Sequence, residues 1–159
     1  MGSLLLFKTM DLIIRKGTIQ DLGAVHALIV ELAVYEREPA AVSNTIQMME
    51  KDGFGTNPIF GFLVAEYNGE IKGASIYYYR YSTWKGKRMY LEDLIVTEAI
   101  RGKGLGKRLF EETLAIAKSE HCTGMMWQVL DWNEPAINFY KKYNTRFDKG
   151  WLNCHIDFD

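Results

Sequence analysis

Between Tyr90 and Phe110 the chain reads YLEDLIVTEAIRGKGLGKRLF, and this stretch restricts the fold more than any other. An apolar run, Tyr90 to Val96, carries two acids, Glu92 and Asp93, in its interior. A turn leads to Arg101-Gly102-Lys103-Gly104-Leu105-Gly106-Lys107, where a helical stripe of Leu105, Leu109 and Phe110 begins. Strand, glycine-rich turn and helix together present backbone N–H groups and a positive helix end to a phosphate. Glycine allows the close approach, and Arg101, Lys103, Lys107 and Arg108 add countercharge. An ordinary βα turn with a solvated basic rim would show the same loop residues. The acids inside the strand favour a functional reading, because a buried carboxylate without a partner or a task is costly.

The flanking sequence supplies the rest of the fold. Asp11 to Lys16 reads as a first strand, and Thr18 to Asp21 as a capping box opening a helix. That helix buries Leu22, Val25, Leu28, Ile29, Leu32 and Ala33, and Pro39 forbids its continuation. Ser43 is placed to cap a second helix reaching about Lys51. Phe60 to Tyr67, Asn68-Gly69 and Glu70 to about Tyr81 form a hairpin around a type I′ turn. After the helix from Gly104 to about Glu120, Met125 to Leu130 reads as a short buried strand parallel to the central one. Asn133 and Pro135 start a last helix, Asn144 suits a left-handed cap, and Trp151 to Phe158 alternates as a final strand. The sum is an α/β protein with a mixed, mostly antiparallel central sheet and helices on both faces. A Rossmann sheet is excluded, since its glycines would follow the first strand, and a Walker A loop would need Gly-Lys-Ser/Thr.

The chain's 159 residues suit one domain, read as residues 10–159, with 1–9 a leader or an alternative start. A net charge of −1 argues against nucleic acid or an anionic membrane as partner. Cys122 and Cys154 stand in no metal-ligand spacing, so no metal is expected, and a cytoplasmic setting is. The three histidines, His26, His121 and His155, suggest core or surface placement rather than ligation.

A strand running into Arg-x-x-Gly-x-Gly within a mixed sheet resembles the GNAT acetyltransferase superfamily, the acyl-CoA N-acyltransferase fold. The likeness to its diamine acetyltransferases, the spermidine/spermine N1- and thialysine-acetylating branch, runs through nearly the whole chain. It is carried by Glu31-Leu32-Ala33, Tyr35-Glu36, Asp52-Gly53-Phe54-Gly55, Leu63-Val64-Ala65-Glu66, Trp84 and Tyr90-Leu91-Glu92-Asp93. It continues in Trp132-Asn133-Glu134-Pro135 and Ile137-Asn138-Phe139-Tyr140-Lys141. The resemblance implies acetyl-coenzyme A as donor, a small primary amine as acceptor, direct transfer in a ternary complex, and a homodimer.

Residue by residue, the resemblance implies that the pantetheine arm lies along Leu94, Ile95 and Val96, and the pyrophosphate on Arg101 to Lys107. Asn133, Pro135, Ala136 and Tyr143 join the coenzyme site. Tyr140 matches the family's general acid; spacing alone reads it as a core aromatic. An amine with a pKa near ~10.4 arrives protonated, and Glu92 is the residue placed to take its proton. The alternative is that Glu92 only binds the cation. Asp93 alternates to the other strand face unless a bulge intervenes. Tyr35, Glu36, Trp84, Trp127 and Gln128, with Glu92 and Asp93, match the amine site, although Trp84 and Trp127 also suit a core or a dimer interface. Arg37, where polyamine-acting relatives are more acidic, argues against a long polycation. Two other functions fit the fold: a protein or peptide N-acetyltransferase, and a non-catalytic acyl-coenzyme A sensor.

Overall fold

The computed structural model describes residues 11–158. The expectations for residues 1–9, and for Met10 as a strand start, lie outside that range. Two compact units divide the chain after Gln128. The first contains β1 (Leu12–Lys16), α1 (Leu22–Tyr35), α2 (Ile46–Phe54), β2 (Gly61–Tyr67), β3 (Glu70–Ser82), β4 (Gly86–Val96), α3 (Leu105–Ser119) and β5 (Met125–Met126). Its five strands form one sheet in the order β1-β2-β3-β4-β5. All neighbours are antiparallel except β4 and β5, which run parallel. The α1–α2 face is sealed by Leu22, Val25, Leu28, Met49, Phe62, Val64, Ala74, Ile76 and Ile95. On the opposite face α3 packs Leu105, Leu109 and Ala117 against Leu63, Ala65, Tyr77 and Met89. The expected mixed sheet with helices on both faces is the one observed.

Local chemistry sets the element ends. Asp21 closes the turn before α1 by accepting from the Thr18 backbone N–H (2.8 Å) and hydroxyl (3.0 Å). The same carboxylate takes a bidentate pair from Arg15 at 2.7 and 2.9 Å, while Arg15 Nε donates to Glu66 at 2.8 Å. This network pins β1, β2 and the start of α1 together, and the Arg15 guanidinium holds the Asp21 carboxyl down at about 2. Asn68 and Gly69 take φ of 52° and 82°, as a type I′ turn requires. Between β3 and α3 the Thr113 hydroxyl donates to Leu109 O at 2.7 Å, leaving Ser75 to donate to Thr113 at 2.8 Å.

Three boundaries depart from the sequence reading. The cap of α2 is Thr45, whose Oγ1 accepts from Met48 N, rather than Ser43, and the helix runs on to Phe54. A cap must sit next to the first helical residue, and Ser43 stands too far upstream. Only Met125 and Met126 pair in β5, opposite Met89 and Tyr90, although the pattern extends to Leu130. The ladder stops at Tyr90, two residues before β4 changes register at Glu92. The second unit holds α4 (Glu134–Lys141), and its tail from Trp151 to Phe158 forms no strand. Alternation alone supplies no hydrogen-bonding edge, and Trp151, Leu152, Ile156 and Phe158 are exposed.

Candidate active site

The central strand owes its geometry to one extra residue. On β3, Ile76 faces Asp93 but the next residue, Tyr77, faces Leu91, so Glu92 is a β-bulge. Face assignments on either side of it agree. Met89 packs towards α3, yet beyond the bulge Leu94 and Val96 do so, and Ile95 has moved to the α1 face. The bulge therefore turns Asp93 onto the α1–α2 face with Ile95, where strict alternation would have placed it opposite. Pairing of β4 with β5 ends at Tyr90, so among the described residues of the first unit no strand pairs with that edge of β4 over Leu94 to Val96.

On this face Asp93 lies within electrostatic reach of two further carboxylates, Glu92 and Glu36. Asp93 is partly buried and its carboxyl is pushed up to about 7 by burial, with the charges of Glu92 and Glu36 adding to the effect. Glu36, at the end of α1, is half-buried, and that burial raises it too. Glu92 lies against the Tyr78 phenol, which burial first and this carboxylate second push up to about 12. The Tyr78 and Tyr90 rings stack with centroids 5.1 Å apart, and Tyr90 is raised by burial and then by Glu92. Among the described residues, no three His, Cys, Asp or Glu side chains converge as a metal site would require. Two acids that are costly to ionise, with Glu92 within electrostatic reach of one of them, are chemistry suited to attracting a cation.

At the other end of β4 the glycine turn has the expected form. Gly102 and Gly104 take φ of 81° and 85°, a region closed to most side chains, and Gly104 is the N-cap of α3. An added Cβ would meet nothing within 4 Å at either position, so backbone conformation rather than space demands glycine there. The N–H groups of the first turn of α3 therefore open outwards, with exposed Lys103 and Lys107 beside them. Two of the four basic side chains are engaged elsewhere. Arg108 donates to Leu12 O at 3.0 Å, and Arg101 donates from Nε to Val96 O at 3.1 Å. The Arg101 guanidinium stands 4.6 Å from the centre of the Tyr35 ring, which connects this turn to the helix carrying Glu36.

The other predicted residues fall in different places. Trp84 occupies the β3–β4 turn, 87% exposed, and within this chain is not brought to the carboxylates. Trp127 packs edge-on against Phe110 of α3, centroids 5.2 Å apart, and Gln128 is exposed. In the second unit Asn133 caps α4 by accepting from Ala136 N at 3.3 Å, with Pro135 in the first turn. Tyr140 is buried, its ring 5.2 Å from that of Phe139, and Tyr143 lies 5.4 Å from the same ring.

Sequence reasoning missed Tyr78 and Tyr90 as neighbours of the acids, because their pairing depends on a register only the bulge defines. It also gave no role to Glu31. That carboxylate accepts from the Thr97 hydroxyl at 2.9 and 3.0 Å and from Glu98 N at 2.9 Å, fastening α1 to the end of β4. An acid at i with an aromatic at i+4, Glu31 and Tyr35, is the pattern that could have revealed one helix face gripping the turn.

Comparison with known proteins identifies the family. The acetyltransferase (GNAT) family model matches residues 25–144. The chain is 36% identical over 155 residues to thialysine N-epsilon-acetyltransferase of Mus musculus, covering 91% of each. It is 35% identical over 148 residues to human spermidine/spermine N(1)-acetyltransferase-like protein 1, spanning 87% of this chain and 21% of that protein. Among solved structures, aminoglycoside N-acetyltransferase AAC(6')-Iy in complex with CoA superposes with a TM-score of 0.76 at 13% identity, over 96% of this chain and 99% of that one. The chain thus belongs to the acetyltransferase (GNAT) family and is an acetyl-coenzyme A-dependent N-acetyltransferase.

Proposed function

We propose that this chain transfers an acetyl group from acetyl-coenzyme A directly to the primary amine of a small molecule, with both substrates bound at once. The observation that carries the reading is the bulge at Glu92, which gathers Glu92, Asp93 and Glu36 on one face of the strand that leads into the glycine turn. The coenzyme's diphosphate sits on the N–H groups of Gly102 to Lys107, and its pantetheine arm follows the open edge of β4 at Leu94 to Val96. The acidic cluster attracts the ammonium, and Glu92 accepts its proton, directly or through water. The freed amine attacks the thioester carbonyl, whose oxyanion meets a backbone N–H of β4. As the tetrahedral intermediate collapses, the C–S bond breaks, the thiolate takes a proton from Tyr140, and the excess proton on the newly bonded nitrogen leaves through water to restore the phenol; the role of Tyr140 rests on the Asn133-to-Tyr140 motif.

Thialysine- and polyamine-like amines are the first acceptors to try, in keeping with the relatives' names. The protein works as a homodimer in the cytoplasm on this reading. Tyr81 and Trp84, both strongly exposed on the β3–β4 arm, offer an apolar edge to a second copy. The test follows release of free thiol from acetyl-coenzyme A with putrescine, spermidine, thialysine, lysine and a short peptide. At least one free amine is turned over, and Tyr140→Phe lowers kcat far more than coenzyme affinity. Tight coenzyme binding without turnover of any amine would replace the proposal by a sensor function, and turnover of the peptide alone by protein acetylation.

A further inference from the structure

A cavity of about 380 Å³ that the mechanism does not use shares one residue, Tyr78, with the surroundings of Glu92. Phe54, Ile59, Phe60, Phe62 and Tyr78 line it, with Lys16 on its wall. It opens where β2 begins at Gly61 and β3 runs on beyond its pairing with that strand. Phe62 stacks with Phe60 and meets Phe54 edge-on, centroids 6.2 and 6.0 Å apart, so the wall is a built aromatic surface.

Tyr78 joins this cavity to the acids. It is one of the lining residues, and it also lies beside Glu92 and stacks on Tyr90. Along β3 it is two positions from Ile76, the partner of Asp93. Two strand residues span about 7 Å, the reach of a short alkyl chain. An amine whose nitrogen meets the carboxylates can therefore extend its body into the cavity.

The lining says what that body is. Aromatic faces alone attract a cation. Here, though, no described lining residue is an acid, and the one charge is the positive Lys16. A second ammonium would lose water without gaining a counter-ion. An apolar chain loses nothing and gains buried area.

Building on the small-amine reading above, we propose that the preferred acceptor carries its amine on an apolar body without a second positive charge, and that this body lodges in the aromatic cavity beside Tyr78. The chain thereby diverges in specificity from an enzyme built for a long polyamine.

The experiment compares methylamine, hexylamine and 1,6-diaminohexane as acceptors for the full chain at saturating acetyl-coenzyme A. The expected kcat/KM of hexylamine exceeds that of the diamine at least tenfold, and rises over methylamine by roughly fourfold for each methylene that enters the cavity. Ile59, 68% exposed, tolerates replacement. Ile59→Glu supplies the missing acid and reverses the ranking of hexylamine and diamine. Ile59→Trp fills the cavity and lowers hexylamine turnover while sparing methylamine. A diamine used as well as hexylamine, equal turnover of methylamine and hexylamine, or a ranking untouched by Ile59→Glu would overturn the inference and leave acetyl transfer standing. If no amine releases thiol, the small-amine reading fails and the inference with it.

Discussion

Replacing Asp93 by asparagine removes the charge that the fold holds least comfortably. The folded protein raises this carboxyl from its ordinary 3.8 to about 7, chiefly by burial and then through Glu92 and Glu36. The folded chain therefore keeps a proton that the unfolded chain has already lost. Between pH 4 and 7 the native state binds more protons, and its stability falls as pH rises through that window. At 1.36 kcal/mol per tenfold change in proton affinity, the full displacement corresponds to about 4 kcal/mol by pH 8, and solvent screening of this partly buried group brings it to roughly 2–4. An asparagine side chain is neutral throughout, so the Asp93→Asn variant should be more stable than wild type by that amount at pH 8 and differ little at pH 4. Urea unfolding of both proteins at half-unit pH steps measures the effect. The same variant should bind the acceptor amine at least tenfold more weakly, since an acid that is costly to ionise in the empty site is offset by a bound cation. Parallel stability curves for the two proteins across pH 4 to 8 would refute the claim that the bulge buries Asp93 among like charges.

Other consequences are simpler to read. Arg15→Met leaves the Asp21 carboxylate buried without its bidentate partner and should cost about 3 kcal/mol at pH 7, measured by urea unfolding, with the loss fading as the pH falls towards 2. Ser75→Ala removes a buried hydroxyl pair between β3 and α3, for an expected loss of about 1–2 kcal/mol in the same assay. Gly104→Val forces a branched side chain to φ of 85° and should weaken coenzyme A binding at least tenfold by calorimetry, with the amine site untouched. Glu31→Ala frees the Thr97–Glu98 turn and should raise the KM for acetyl-coenzyme A severalfold while changing kcat little, and Glu31→Gln should recover most of the loss.

Much of the fold was legible because its signals are local. The Asn68-Gly69 turn, the Asn133 cap and the glycine turn before α3 each depend on a few adjacent residues, and each is present as expected. Where the expectation failed, the deciding partner was distant in sequence. Met125 to Leu130 carries a strand pattern, but its ladder with β4 ends at Tyr90, just before the bulge at Glu92. Trp151 to Phe158 alternates without an edge to pair with. The site divides in the same way. Residues of the glycine turn could be named from spacing, whereas the meeting of Glu36, Glu92 and Asp93 depends on a register shift that no periodicity announces. Lys103, Lys107, Arg101 and Arg108 look equivalent as a basic run. Only the fold separates the two exposed lysines from Arg108, spent on Leu12, and Arg101, laid on Tyr35.

The function proposed above has β4 serving two substrates at once, with the donor on its edge at Leu94 to Val96 and the glycine turn and the acceptor at the acids around its bulge. A crystal structure of the chain with coenzyme A and a non-reacting amine analogue tests this directly. The expected result has the diphosphate on the N–H groups of Gly102 to Lys107, the pantetheine arm along Leu94 to Val96, and the amine nitrogen among Glu36, Glu92 and Asp93. A diphosphate bound away from the glycine turn, or an amine seated away from those carboxylates, would contradict it.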